Sequence, residues 1–111
     1  MGSGRLAMVE VARLDILLIS LDPLQGAEIK KTRPCVVVSP DEMNKYIKTI
    51  IIAPMTSSIK NYPTRIPIYF EEKVKNIVLD QIRMIDKLRI VKKLGVLDFD
   101  IILNKMFSKW K

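Results

Sequence analysis

The chain has 111 residues, 49% of them hydrophobic, and a mean hydropathy of +0.15, which excludes a disordered polymer and fits one folded domain. Nineteen Lys and Arg against twelve Asp and Glu give a net charge of +7 and a pI near 9.7, so a polyanion partner and a merely solubilising surface are equal alternatives on charge alone. Histidine is absent, which excludes a His–His acid/base pair, a Ser–His–Asp triad and a His-built metal site.

Residues 1–7, opening Met1-Gly2-Ser3-Gly4, read as a cloning scar, with Met8 as the native start and residues 8–111 as one domain. The apolar run Ile16 to Leu21, ending at Asp22-Pro23, predicts a buried strand. Asp22 to Thr32 is a loop with Gly26 and the lysines Lys30 and Lys31. Pro34 to Ser39 predicts a second buried strand around Cys35-Val36-Val37-Val38. Cys35 reads as a core residue and not a nucleophile. As the one cysteine it permits no intrachain disulfide, which fits a reducing compartment. Ser39-Pro40-Asp41-Glu42 predicts a turn and one turn of helix, since proline and acids suit a helix start.

Thr49 to Met55 predicts a third strand, with Pro54 marking an edge or bulge. A polar loop follows over Thr56 to Pro63. Arg65 to Phe70 is a fourth strand carrying Pro67, and Glu71 to Lys75 a charged turn. Ile77 to Leu79 is a fifth strand leading into Asp80-Gln81-Ile82-Arg83. Met84 to Lys87 turns again, Leu88 to Leu94 is a short sixth strand, and Gly95 breaks the chain. From Asp98 the period changes: Phe99, Ile102, Leu103, Met106, Phe107 and Trp110 share one face of an amphipathic helix with Asp98 as N-cap. Many short strands and one late helix describe a mainly β protein with a C-terminal helix, a small β-barrel. A chain this short leaves apolar surface that dimerisation would cover. No run approaches the roughly 18 apolar residues of a membrane helix and no secretory signal opens the chain, so the expected home is the cytoplasm, with no membrane partner.

Four blocks lie in order along this pattern: Lys31-Thr32-Arg33-Pro34-Cys35-Val36-Val37-Val38-Ser39-Pro40-Asp41, then Ala53-Pro54-Met55-Thr56-Ser57 with Tyr62-Pro63-Thr64-Arg65, then Leu79-Asp80-Gln81-Ile82-Arg83 with Ile85-Asp86-Lys87, then Lys93-Leu94-Gly95. Together they resemble the signature of the MazF/PemK toxins, over roughly Asp15 to the C-terminus. The resemblance implies an SH3-like barrel working as a homodimer. It also implies an endoribonuclease that cuts single-stranded RNA, mostly mRNA, at specific sequences without a metal or other cofactor, and that a cognate antitoxin neutralises. RNA would supply its own nucleophile, the 2′-hydroxyl, giving a 2′,3′-cyclic phosphate and a 5′-hydroxyl end, so the protein's task is positioning and electrostatics.

By match to the family, Arg33, Thr56 and Asp80 are the candidate catalytic residues. Arg holds a phosphate bidentately and stays charged, though a lone Arg at a strand start more often pairs with a carboxylate. The Thr56 hydroxyl either holds a phosphate oxygen or bonds its own backbone in a turn. Asp80 either moves a proton or, slightly favoured, is a buried group orienting Arg33 or Arg83. Gln25, Glu28, Lys31, Ser57, Lys60, Gln81 and Arg83 are candidate RNA-binding residues, with Lys30 and Arg65 along the same groove and Tyr46 and Tyr62 as stacking candidates, although the favoured alternative is a partly buried Tyr62 and lysines that are mostly just solvated. No metal ligands are expected. The family's opening Arg-Gly-Asp-aromatic appears here as Arg13-Leu14-Asp15-Ile16, and the loop after Pro23 also departs from the family. Two other readings remain: a non-enzymatic toxin of the same fold that poisons DNA gyrase, and a basic barrel that binds RNA without cutting it.

Overall fold

The computed structural model describes residues 10–21 and 31–98. Their elements are β1 (Asp15–Ser20), β2 (Thr32–Val37), α1 (Asp41–Tyr46), β3 (Thr49–Thr56), β4 (Arg65–Phe70), β5 (Lys73–Val78), a 3₁₀ turn over Leu79–Gln81, β6 (Arg83–Asp86), a second 3₁₀ turn over Lys87–Arg89, and β7 (Ile90–Val96). The expected helix beyond Asp98, the segment 1–7 and the loop carrying Gln25 and Glu28 lie outside the described residues. Among the described residues no helix is long and apolar enough to cross a membrane.

All strand pairings are antiparallel, in the order β4-β5-β3-β2-β1-β7, with β6 also on β3. The sheet is curled into a half-barrel: Ile66 and Ile68 of β4 share a buried cluster with Leu14 and Ile16 at β1, although three strands lie between β4 and β1 in the sheet order. That cluster also takes Val36, Ala53, Met55 and Ile77. The opposite faces of the same central strands supply a second cluster: Leu17 and Ile19 from β1, Cys35 and Val37 from β2, Ile50 and Ile52 from β3, with Ile85 and Ile90 at its margin. Successive residues of a strand point to opposite faces, so β1, β2 and β3 bury both faces. This is why their sequences are continuous apolar runs, whereas β4 alternates. Truncating Ile52, which is fully buried, would cost about 2–5 kcal/mol.

The edge of β3 away from β2 is shared by two strands. Met55 and Thr56 pair with Ile77 and Asn76 of β5, while Thr49 to Ile52 pair with Asp86 to Arg83 of β6. Between them the five residues 78–82 face only Ala53 and Pro54, and the excess is taken up by the 3₁₀ turn at Leu79–Gln81. Pro54, which has no N–H to give, falls in this interruption. Against expectation, Pro54 thus marks neither an edge strand nor a bulge of β3: β3 is central, and the irregularity lies where β5 gives way to β6. Pro67 lies in β4, an edge strand, as a strand proline should.

Several boundaries differ from expectation. Met84 to Lys87 is not a turn: Arg83 to Asp86 form β6, a short edge segment whose one buried side chain, Ile85, is too little for an apolar period to reveal. Gly95 does not break the chain but pairs with Ile16 inside β7, and a Cβ there would meet the Phe70 ring at an ordinary 3.8 Å. The helix after Pro40 is longer than one turn and is tied down by its buried Asn44. Asn44 accepts from the Ser39 hydroxyl, donates to the Ser39 carbonyl at 3.0 Å, and its own carbonyl accepts from the Lys87 ammonium. Ser39 Oγ in turn accepts from the Ile51 N–H at 3.1 Å, so one buried polar network joins α1, β3 and the second 3₁₀ turn.

Leu14 stands where the resemblance leads one to expect glycine, and its φ is 73°, a left-handed conformation that favours glycine. A non-glycine residue there costs about 1–2 kcal/mol. Burial of the Leu14 side chain in the first cluster stabilises by a similar or larger amount, about 1.5–3 kcal/mol. The backbone bend is thus kept without glycine. Beside it Asp15, 1% exposed, accepts from the Ala12 N–H at 2.9 Å and pairs with Lys93 at 3.4 Å.

The β4–β5 connection is only Glu71 and Glu72, tighter than the five-residue turn expected. Both have positive φ, 52° and 64°, the signature of a type I′ hairpin turn that prefers Asn-Gly. Both side chains are exposed. Replacing the pair, Glu71→Asn with Glu72→Gly, should therefore raise stability by about 1–2 kcal/mol and the Tm by roughly 5 °C. A thermal melt of the double variant that does not rise would show that the turn is not held left-handed.

Candidate active site

The site is built on one face of three neighbouring strands. Arg33 is two residues from Cys35 on β2 and shares its face. Cys35 pairs with Pro54, so the same register continued along β3 sets Thr56 across from Arg33. Thr56 pairs on its other side with Asn76 of β5, and Asn76 with Pro67 of β4. Arg33, Thr56 and Asn76 thus form a transverse row, three side chains on one face of the half-barrel. Arg65, two residues from Pro67, is on that face too. Arg83 pairs with Ile52, on the face of Cys35.

Cys35 reports the charge above it. Desolvation of the fully buried thiol pushes its pKa from 9.0 up to about 12, against the opposing pull of the Arg33 and Arg83 guanidinium charges. The strand registers set both arginines on the face of this thiol, Arg33 two residues before it on β2 and Arg83 across from Ile52. The thiol itself is inert, its S–H directed to the Arg33 carbonyl at 3.4 Å. Cys35 is core, as expected.

The half-buried Thr56 uses an oxygen lone pair to accept from the Ser58 N–H at 3.1 Å. Both fates considered for it are compatible, because a hydroxyl that accepts within a turn still has one proton to donate. Ser57, Lys60, Gln81, Lys31 and Arg83 are exposed. Gln81 and Asp80 sit on the 3₁₀ turn that leaves the sheet between β5 and β6, beside the row.

Asp80 corrects one expectation. It is exposed, not buried, and its partners are neither Arg33 nor Arg83. Oδ1 accepts from the Thr64 hydroxyl at 3.0 Å and from Arg65 Nε at 3.2 Å. Desolvation acts to raise its pKa, but the Thr64 hydrogen bond, its own backbone N–H and the Arg65 guanidinium together hold it below the ordinary 3.8. Arg65, only 12% exposed, is further fixed with its guanidinium 5.4 Å from the Tyr62 ring centroid. Thr64, Arg65 and the buried Asn76 therefore belong to the site's framework. The alternation of β4 and β5 places Arg65 and Asn76 on one face, but nothing in the sequence couples Arg65 to Asp80. Tyr46 does not join the site: it ends α1, just before the start of β3 and at the opposite end of that strand from Thr56, beside Lys45 at 5.6 Å, and lines an open cleft of about 510 Å³ with Arg13, Pro40, Asp41, Glu42 and Lys45. Among the described residues no group of three His, Cys, Asp or Glu side chains is placed to hold a metal ion.

A small curled antiparallel sheet with basic side chains on one open face is the architecture of a class of small β toxins. The sequence profile of the PemK-like, MazF-like toxins of type II toxin–antitoxin systems matches residues 12–104, and the chain belongs to this family. It is 39% identical over 93 residues to Endoribonuclease MazF of Staphylococcus epidermidis, an overlap covering 78% of each chain. Its fold is also that of an endoribonuclease from a mycobacterial species, with a TM-score of 0.73 at 16% identity, covering 92% of this chain and 88% of that one. An endoribonuclease in complex with its cognate antitoxin, again mycobacterial, superimposes with a TM-score of 0.70 at 16% identity, covering 89% of each chain.

Two measurements check this environment. Cys35 should resist alkylation at pH 8 in the folded protein and react on unfolding. Its raised pKa means that the thiol's contribution to stability is complete below about pH 9 and is lost as the pH rises toward 12. Carbon-detected NMR titration should place the Asp80 midpoint below 3.8, and Arg65→Ala should move it up. The contribution of this lowered carboxylate is present above the unfolded-state pKa and disappears as the pH falls through the folded midpoint.

Proposed function

We propose that the chain is a sequence-specific endoribonuclease toxin that cleaves single-stranded RNA, chiefly mRNA, without a metal, and is neutralised by a cognate antitoxin. The observation that carries this reading is the row of Arg33 and Thr56 across from one another on one face, with Arg65 and Arg83 beside them. The relative from Staphylococcus epidermidis and the mycobacterial complex support the activity and the antitoxin respectively.

Arg33 meets the scissile phosphate through its planar guanidinium and stabilises the charge of the phosphorane as the 2′-oxygen attacks. The Thr56 hydroxyl donates its remaining proton to a phosphate oxygen and keeps phosphorus in line. The 2′-hydroxyl gives up its proton as the O2′–P bond forms, the P–O5′ bond breaks, and the departing 5′-oxygen takes up a proton, leaving a 2′,3′-cyclic phosphate and a 5′-hydroxyl end with no net change in protons. Asp80, ionised and engaged by Thr64 and Arg65, is a poor proton donor. It acts by holding Arg65, which together with Arg83 adds positive charge for the flanking phosphates. Lys31, Ser57, Lys60 and Gln81 contact the RNA at the rim, joined by Gln25 and Glu28 from the preceding loop. Tyr62, half exposed over Arg65, offers a face on which a base can stack. Residues 8–111 act as one domain, as a homodimer in the cytoplasm.

The test is incubation of the protein with a long single-stranded RNA in excess EDTA, beside Arg33→Ala. Discrete fragments with 5′-hydroxyl ends are expected from the wild type, and a loss of at least about a hundredfold in rate from the variant, the scale of removing one charge-stabilising donor. Cleavage by Arg33→Ala at the wild-type rate sinks the site. Intact RNA with the folded wild type turns the assignment to a gyrase poison or a non-cleaving RNA binder. Sedimentation at micromolar concentration should report a dimer, and a monomer would contradict that part.

A further inference from the structure

We propose that Asn76 is a positioning residue that orients the Thr56 hydroxyl through the loop between β3 and β4. The proposal rests on the reading of Thr56 as a phosphate-binding group.

Asn76 is an improbable choice for its place. It lies in β5, is 1% exposed, and is followed by the buried Ile77 and Val78. Asparagine is a poor strand former, and burying an amide costs free energy unless it is hydrogen-bonded. A valine or isoleucine would satisfy both the strand and the core. What the amide adds is a bond those residues cannot make: Asn76 Nδ2 donates to the Lys60 carbonyl at 3.2 Å, sixteen positions away. The loop so held is exposed from Ser57 to Pro63.

The same loop returns a bond to the site. Ser58 N–H donates to Thr56 Oγ1 at 3.1 Å, and this bond fixes the side on which the hydroxyl accepts, hence the side to which it can donate. Asn76 is also the direct cross-strand partner of Thr56. One buried side chain therefore sets Thr56 from two directions, across the ladder and around the loop. Releasing Lys60 would let Ser58 drift and leave the Thr56 hydroxyl free to rotate. The fold would keep its ladders, while the donor aimed at the phosphate would lose its alignment.

Two variants separate this role from packing. Asn76→Asp keeps the shape without the N–H donor, and Asn76→Leu keeps the volume without either polar atom. Amide hydrogen exchange read by NMR on the full chain should show Ser58 about tenfold faster in both, the effect of one lost hydrogen bond, with Val36 and Ile52 unchanged. On RNA, kcat should fall by roughly ten- to a hundredfold with KM within about twofold, since misplacing a positioned group costs on this scale. Ser58 exchange at the wild-type rate in both variants, or an unchanged kcat, overturns the proposal. Should either substitution prevent folding, the wild type alone still decides. Its Ser58 amide must exchange more slowly than that of Ser57, and an equal rate overturns the anchor. A wild type that leaves RNA intact refutes the ribonuclease reading and with it the catalytic consequence, while the exchange data independently uphold or refute the anchor.

Discussion

β3 is hydrogen-bonded along both edges, and Arg33, Thr56, Asn76 and Arg83 are placed by their relation to that strand. On one side β2 sets Arg33 against Thr56. On the other, the division between β5 and β6 opens the ladder just where Pro54 cannot donate, and the turn with Asp80 and Gln81 emerges there. Burial on both faces makes this register hard to shift, because a slip of one residue would exchange the two buried clusters. The site inherits its precision from a strand that takes little part in chemistry itself.

The charge arrangement follows from the same geometry. Arg33, Arg65 and Arg83 come from three different strands and share a face, yet of the three only Arg65 is paired with a carboxylate among the described residues, that of Asp80. A paired, largely buried arginine holds one geometry, whereas exposed Arg33 and Arg83 meet solvent. The carboxylate therefore fixes one cation without neutralising the face. A surface of this kind draws a phosphate backbone and discriminates little by itself, so sequence preference falls to the rim and its loops.

Much of the fold was legible because apolar runs and their turns carry most of the information: β1, β2, β3 and β4 appear within a residue or two of where the pattern puts them. β6 was hidden because four residues with one buried side chain have no readable period. The turn at Glu71 and Glu72 is shorter than the sequence suggests because two glutamates do not announce a left-handed conformation that Asn-Gly would. In the site, Arg33 and Thr56 came from family motifs. That they lie opposite one another is a matter of register, which no local pattern fixes. The partner of Asp80 is illegible for a related reason: Arg65 is fifteen residues away in sequence and reaches it only because β4 and β5 form a tight hairpin. Asn76 passed unnoticed since an asparagine near charged residues looks like turn chemistry until its burial is known.

The interruption opposite Ala53 and Pro54 also bears on how such a protein can change over time. The pairings on either side of it are pinned separately, Ile77 to Met55 and Arg83 to Ile52. A residue gained or lost within 80–82, beyond the Val78–Arg65 pair and the Leu79 N–H bond to Thr64, would alter the excursion without dragging β5 or β6 out of register. The segment that presents Asp80 and Gln81 to a ligand is thus also the one where length is least constrained by the ladder. Selection can explore new contacts there while the framework beneath stays fixed, a division of labour that lets one scaffold diversify its targets.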